Sequence, residues 1–271
     1  MKLQDIFLVS DLDGTLIGAN HRIPQRNIDA IRRFQEQGGR FAVATGRSVN
    51  SGERYCRQVQ PKGLCVMLNG SILYDYEQDE IAKAFFLPPQ ARDYARLLTE
   101  HFPEIGCEVF AQRRQFVLRA NQYVRAHLGN ENLPCVEIDA GEITDHWCKA
   151  LFAADPETKL KIQAFTESFA HPGVRFVQSE KCFLEMLPEG VDKGSGLLEI
   201  LRQTGLPREN LVVIGDYYND VEMLHAAGFA AVPSNAPQDI RQMADLVVGD
   251  CRDGAVADLI EIGRASCRER V

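Results

Sequence analysis

A broad basic surface is what this chain most clearly lacks. Its 38 Asp and Glu outnumber its 30 Lys and Arg, for a net charge of −8. No excess of cations exists to neutralise a nucleic-acid backbone or an anionic membrane over a wide area. A small phosphorylated ligand stays open, because it needs only a local cationic pocket. No apolar run approaches the roughly 20 residues that cross a bilayer. The N-terminus lacks the basic-then-apolar pattern of a signal peptide, so a soluble, cytoplasmic protein is expected. None of the eight cysteines forms a C-x-x-C pair, and no Cys–His zinc spacing is present. Several, such as Cys65 within Leu64–Leu68, lie in apolar runs and read as small buried hydrophobes of a reducing compartment. No internal repeat is present.

What is there begins with Asp11-Leu12-Asp13-Gly14-Thr15, one residue (Ser10) after the apolar run Ile6–Val9. Two carboxylates one residue apart thus sit where a buried strand gives way to a loop, the place where ligands collect in α/β sheets. Like charges at about 4 Å and an effective dielectric near 20 repel by roughly 4 kcal/mol. A divalent cation removes that penalty and leaves one carboxylate free to act as a nucleophile.

The chain's 271 residues suffice for one large domain or two modest ones. From Ile6 to Leu68 strands and helices alternate: strand Ile6–Val9, helix Pro24–Gln37, strand Phe41–Ala44, helix Ser51–Val59, strand Leu64–Leu68. This order predicts right-handed crossovers and a parallel sheet, an α/β fold of Rossmann-like type. The character changes near Leu87-Pro88-Pro89. Residues 83–187 read as an α+β insert. Its expected helices are Ala91–Glu100 and Glu157–Phe169; its expected strands are Glu108–Ala111, Phe116–Arg119, Cys148–Ala153, Val174–Gln178 and Cys182–Leu187. The insert has no phosphate loop and no carboxylate cluster. It either covers the site or is purely structural. From 188 the α/β rhythm returns: helix Lys193–Gln203, strand Leu211–Ile214, a helix to Ala227, strand Phe229–Val232, helix Pro237–Met243, strand Leu246–Val248 and helix Gly254–Ile262. The discontinuous core is therefore expected at 1–82 and 188–271. Its last stretch, Gly263–Val271, is Arg-rich, continues no stripe, and reads as a disordered tail or a non-native ending.

Four separated segments can meet on one sheet edge: Asp11/Asp13, Thr45-Gly46-Arg47, Lys193, and Asp216 with Asn219-Asp220. Read alone, each has a plain alternative. Asp13 fits an Asx-turn, Thr45 a helix N-cap, Lys193 a surface lysine, Asp220 a carboxylate at a helix N-terminus. A lysine at a helix start opposes the macrodipole, a conflict that a bound anion relieves. Together the segments resemble the four motifs of the haloacid dehalogenase (HAD) superfamily of phosphotransferases. Ala44–Ser48 (ATGRS), Leu68–Leu73 (LNGSIL), Leu184–Leu197 (LEMLPEGVDKGSGL), Gly215–Asp220 (GDYYND), Ser234–Asp245 and Asp253–Ile260 resemble more closely its Cof-type phosphatases.

That resemblance implies a HAD-fold core with an inserted α+β cap at 83–187 and a Mg2+-dependent phosphohydrolase. Asp11 is then the nucleophile that forms an aspartyl-phosphate, and Asp13 the acid and base. Leu12, Thr45, Gly46, Lys193 and Asn219 would bind phosphate. Asp11 and Asp216 side chains with the Asp13 carbonyl would hold Mg2+, and Asp220 would orient Lys193 or a metal-bound water from behind. Arg47 either reaches substrate or is solvated. Arg113, Arg114, Arg119, His146 and Lys181 are the insert residues considered for the pocket. The implied substrate is a small phosphorylated metabolite, a sugar phosphate, pyridoxal phosphate or flavin mononucleotide, handled by a monomer or weak homodimer. A sugar phosphomutase and a non-catalytic phosphate sensor are the alternatives. The sequence departs from the family pattern at Ser71, where alanine is common, and at Pro233, where a Met-Gly step is usual. The second departure puts the loop beside the metal in question.

Overall fold

The computed structural model describes residues 3–18, 20–131 and 133–268. Strand β1 (Phe7–Ser10) is buried along its whole length, as a parallel strand covered on both faces must be, hence its unbroken apolar run. Helix α1 (Gln25–Glu36) enters behind Pro24 and buries Asn27, Ala30, Ile31 and Phe34, a stripe at helical spacing. Strand β2 (Arg40–Val43) follows, then helix α2 (Val49–Val59), whose N-cap is Ser48, accepting a hydrogen bond from the Ser51 N–H. Strand β3 (Cys65–Met67), strand β4 (Ile72–Asp75) and strand β5 (Glu80–Ala84) come next.

Here the structure corrects the expectation that the third strand extends the parallel sheet. Strands β3, β4 and β5 form a separate three-stranded sheet, with Cys65, Val66 and Met67 antiparallel to Tyr74, Leu73 and Ile72. Among the described residues a single isolated parallel bridge, Ala44 to Val66, ties β3 back to the end of β2. The cause is local: Leu68, Asn69 and Gly70 all have positive φ (50°, 53° and 104°), which reverses the chain immediately after β3. A short hairpin-like return closes a smaller loop than a crossover would.

Residues 84–191 form a compact unit of their own. It runs through helix α3 (Ala91–His101), strands β6 (Gly106–Ala111) and β7 (Arg114–Arg119), helix α4 (Gln122–Glu131), strand β8 (Lys149–Ala153), helix α5 (Pro156–Glu167), and strands β9 (Val174–Glu180) and β10 (Phe183–Pro188). The sheet is antiparallel, ordered β7-β6-β8-β10-β9. One face packs Cys107, Val109, Ala150, Phe152, Leu184 and Met186 against α3 and α5. Helix α4 escaped the sequence reading because its only buried apolar side chains are Val124 and Leu128; its signal is Asn121, which accepts from the N–H groups of Tyr123 and Val124. The unit continues to Val191, past the expected boundary at 188. Pro188 pairs with Val174, and the Glu189 N–H donates to Gly173 O, so the β10 ladder draws these residues with it.

Alternation puts charge on the other face of this sheet. Glu108, Lys149 and Glu185 are buried there, with the Lys149 ammonium 3.1 Å from Glu185 and 4.5 Å above the Phe110 ring. A buried ion pair repays little more than its desolvation. Replacing both members, Lys149→Met with Glu185→Leu, is therefore expected to hold the melting temperature within a few degrees of wild type, or to raise it. Lys149→Met alone strands a buried carboxylate and lowers it. Thermal melts of the three proteins check this.

The chain then returns through helix α6 (Lys193–Thr204), strand β11 (Leu211–Ile214), helix α7 (Val221–Ala226), strand β12 (Phe229–Pro233), helix α8 (Gln238–Arg241), strand β13 (Leu246–Val248) and helix α9 (Ala255–Arg268). These join the first segment in a parallel sheet ordered β13-β12-β11-β1-β2. Phe7–Ser10 pairs in register with Leu211–Ile214 on one side and Arg40–Val43 on the other. The carboxyl ends of β1, β2 and β11 thus lie side by side. Helix α9 runs six residues past the expected end at Ile262, to Arg268, through part of the stretch read as a disordered tail or a non-native ending. Arg264, Ala265 and Arg268 are good helix formers, and no proline stops them. The rest of that expectation, 269–271, lies outside the described residues.

Candidate active site

Asp11 continues β1 by one residue, its N–H donating to Ile214 O at 2.9 Å. The chain then turns sharply, with the Ile17 N–H donating to Leu12 O. Leu12 is fully buried, so only its backbone can face a ligand. Gly14 makes the turn possible twice over. Its φ is +82°, and a Cβ there would lie 2.4 Å from Oδ2 of Asp216. Thr15 Oγ1 donates to Asp216 Oδ1 at 2.8 Å, which fixes the carboxylate that follows β11.

Lys193 is the first residue of α6, behind the N-cap Asp192. Its side chain is fully buried, and its ammonium donates to Asp11 Oδ1 and to Asp220 Oδ1, each at 2.6 Å. The conflict with the helix dipole is thus met by two carboxylates of the chain itself. Asp220 is the N-cap residue of α7, where the plain reading of a helix-terminal carboxylate puts it, but its side chain bonds no N–H of that helix. Its Oδ2 turns back to accept from the N–H groups of Asp216 and Tyr217, at 2.9 and 3.0 Å. Asp220 therefore folds the 215–220 loop and orients Lys193 at once. Asp11, Asp216 and Asp220 each offer an oxygen within 4.8 Å of the others.

Asp13 has a different place. Arg47 holds both of its oxygens, Nε to Oδ2 at 2.6 Å and Nη2 to Oδ1 at 2.7 Å. The carboxylate that joins Asp11 and Asp216 is consequently Asp220, while the nearby Asp13 side chain is turned to Arg47. Thr45 is buried, and its hydroxyl accepts from the Arg47 N–H at 3.2 Å, so it is not the α2 cap. Asn219 Nδ2 donates to Asn69 Oδ1 at 3.1 Å, and a Cβ on Gly46 would lie 3.0 Å from Asn69 Nδ2. Gly46, Asn69 and Asn219 are thereby gathered from three loops. Beside them, Asn235 donates to Gly14 O and accepts from the Cys251 N–H, which ties down the loop after Pro233.

Sequence reasoning missed Thr15, Asn69 and Asn235 as parts of the site. Their only signal was a polar side chain within a motif already singled out. Of the insert residues considered, Arg114 pairs with Asp145, Arg119 donates to the Thr99 and Pro103 carbonyls, and His146 packs on Phe86. Arg113 and Lys181 are exposed at turns.

Three carboxylates around one ammonium leave an excess of negative charge in a buried place. Burial pushes the Asp11 carboxyl well above its ordinary range; Lys193 opposes this, while Asp220, Asp216 and Asp13 add to it. Burial, then Asp220, pushes Asp216 up to about 7. Burial works against the Lys193 charge, yet Asp11 and Asp220 hold its titration above the ordinary lysine value. A set of hard oxygen donors with surplus negative charge suits a divalent cation of the Mg2+ or Ca2+ kind, and the cluster can hold one.

The family model for haloacid dehalogenase-like hydrolases matches residues 8–260. A pyridoxal phosphate phosphatase, YbhA, of Escherichia coli (strain K12) is 24% identical over 259 residues, covering 92% of this chain and 95% of that protein. An HMP-PP phosphatase of Klebsiella pneumoniae (strain 342) is 26% identical over 264 residues, covering 92% of each. A haloacid dehalogenase-like hydrolase from Bacteroides thetaiotaomicron has a similar structure, with a TM-score of 0.85, 25% identity, and coverage of 94% of this chain and 98% of that one. With the model matched across both segments of the core and the insert between them, the chain belongs to the haloacid dehalogenase-like hydrolase family, in the company of its phosphatases.

Proposed function

We propose that this chain is a Mg2+-dependent phosphomonoesterase working through an aspartyl-phosphate on Asp11. The observation that carries the reading is the buried Lys193 ammonium, bonded to Asp11 and Asp220 at 2.6 Å each with Asp216 in the same cluster. A cation and a nucleophilic carboxylate in one water-poor place are what phosphoryl transfer needs, since positioning and charge stabilisation do most of the work. Asp11, Asp216 and the Asp13 carbonyl would hold the Mg2+, which supplies counter-charge to the phosphoryl oxygens. Lys193 neutralises the phosphate and relieves its repulsion with Asp11. Thr45 Oγ1, Asn219 Nδ2 and the Leu12 and Gly46 N–H groups bind the remaining phosphoryl oxygens.

The proton balance falls to Asp13. An Asp11 oxygen attacks phosphorus, the bond to the leaving oxygen breaks, and Asp13 gives that oxygen its proton. Asp13 then takes a proton from the water that attacks the aspartyl-phosphate, freeing inorganic phosphate and Asp11. Residues 84–191 are the unit to which this reading gives the choice of leaving group, the part that the family resemblance gives to a cap. The substrates are small phosphorylated metabolites. The pyridoxal phosphate and HMP-PP named for two relatives support this range, together with sugar phosphates and flavin mononucleotide.

A panel of such compounds assayed for free phosphate with Mg2+ tests the reading. At least one is expected to release phosphate catalytically, and EDTA to stop it. Conversion of a hexose 1-phosphate to an isomeric phosphate, without release, would replace the hydrolase by a mutase.

A further inference from the structure

Asp13 faces a contradiction in the ligand-free protein. To serve the leaving group it must present one oxygen, yet Arg47 occupies both. Such a fork is the strongest arrangement available to a carboxylate and an arginine. The two partners are unequally anchored. The Arg47 side chain is 16% exposed and that of Asp13 is 41% exposed. The Arg47 guanidinium lies 5.2 Å from the centre of the Tyr55 ring, itself buried. Its backbone is held at both ends, the N–H by Thr45 Oγ1 and the carbonyl by the Leu68 N–H at 3.0 Å. Asp13, in contrast, sits one residue before the positive-φ Gly14.

We infer that Arg47 is a positioning residue that acts through Asp13: it keeps one oxygen of that carboxylate while the other turns to the leaving group. This rests on the proton-carrying role proposed above for Asp13. Arg47 thereby decides which Asp13 oxygen is offered and in what direction, and contributes nothing to phosphate affinity. Phosphate is left to Lys193, Thr45 and Asn219. A lysine at 47 keeps the charge but not the fork, so it cannot replace the arginine.

A double-mutant cycle on the best phosphomonoester tests this, with Arg47→Ala, Arg47→Lys, Asp13→Asn and the Arg47→Ala/Asp13→Asn pair. Arg47→Ala and Arg47→Lys are each expected to lower kcat by about 10–100-fold, part of the roughly 10²–10⁴-fold that general acid–base catalysis supplies. Inhibition by inorganic phosphate, read as its Ki, is expected to stay within about threefold of wild type. In the Asp13→Asn background, Arg47→Ala is expected to change kcat by less than about threefold, because its route of action is already gone. Should the Ki rise tenfold or more, or the two losses multiply, Arg47 acts on the phosphate directly and the inference is overturned. An Asp13→Asn protein with full turnover overturns the role of Asp13 and this inference with it. That outcome is distinguishable, because it appears in the single variant. Arg47→Lys keeps the question answerable if Arg47→Ala fails to fold.

Discussion

Asp11→Asn is expected to lower phosphate release by roughly 10⁴-fold or more, as removal of a covalent nucleophile does. The amide keeps the size and the hydrogen-bonding oxygen of the carboxylate, but its lone pairs do not attack phosphorus. The loss is expected to be chemical rather than structural. Asp11 is buried beside Asp216, Asp220 and Asp13, so its charge is penalised by its surroundings. Lys193 loses one charged partner and keeps Asp220 at 2.6 Å. The variant should fold, show a melting temperature near or above that of the wild type, and bind inorganic phosphate. Turnover within tenfold of wild type, measured on the same substrate, would remove Asp11 from the nucleophile's place and the proposed mechanism with it.

The groups that this prediction rests on were legible in the sequence for a physical reason. Asp11 and Asp216 each follow an unbroken apolar run, and such runs are strands covered on both faces. Parallel pairing then aligns their carboxyl ends. That β1 and β11 are neighbours, with Phe7 beside Leu211, follows from no spacing; it came with the family resemblance. Lys193 was legible as a misfit, a cation at the positive end of a helix. The rest depends on loop dihedrals that no periodicity reports. Leu68 and Asn69 take positive φ without being glycine, and this turns Asn69 toward Asn219, 150 positions away. The Arg47 fork on Asp13 arises in the same way, from where two loops happen to bring their tips. The 3–83 segment misled for the opposite reason. The apolar run Leu64–Leu68 looks the same whether it joins a parallel ladder or starts a hairpin, and the turn after it decides.

Adding Mg2+ is expected to raise the melting temperature, and Asp216→Asn to abolish that rise while stabilising the metal-free protein. Burial and Asp220 lift the Asp216 carboxyl from its ordinary 3.8 to about 7 in the folded chain. Between those values the folded state binds a proton that the unfolded state has lost, so stability falls as pH rises from about 4 to about 7. Above pH 7 the full penalty stands, on the order of 4 kcal/mol for a shift of that size. Asparagine carries no charge and still accepts from Thr15, which donates to Asp216 Oδ1. At pH 8 without metal, Asp216→Asn should therefore melt several degrees above wild type, and at pH 4 the gap should close. Metal works in the opposite direction. A cation that binds only the folded state at 100 times its Kd adds about 2.7 kcal/mol, which at roughly 2–4 °C per kcal/mol is about 5–10 °C. The wild type should gain this, and the variant, short of one carboxylate, should not. Equal Mg2+ shifts in both proteins would place the cation elsewhere. A variant less stable than wild type at pH 8 without metal would mean that Asp216 is compensated in the folded chain by more than Thr15 and Lys193.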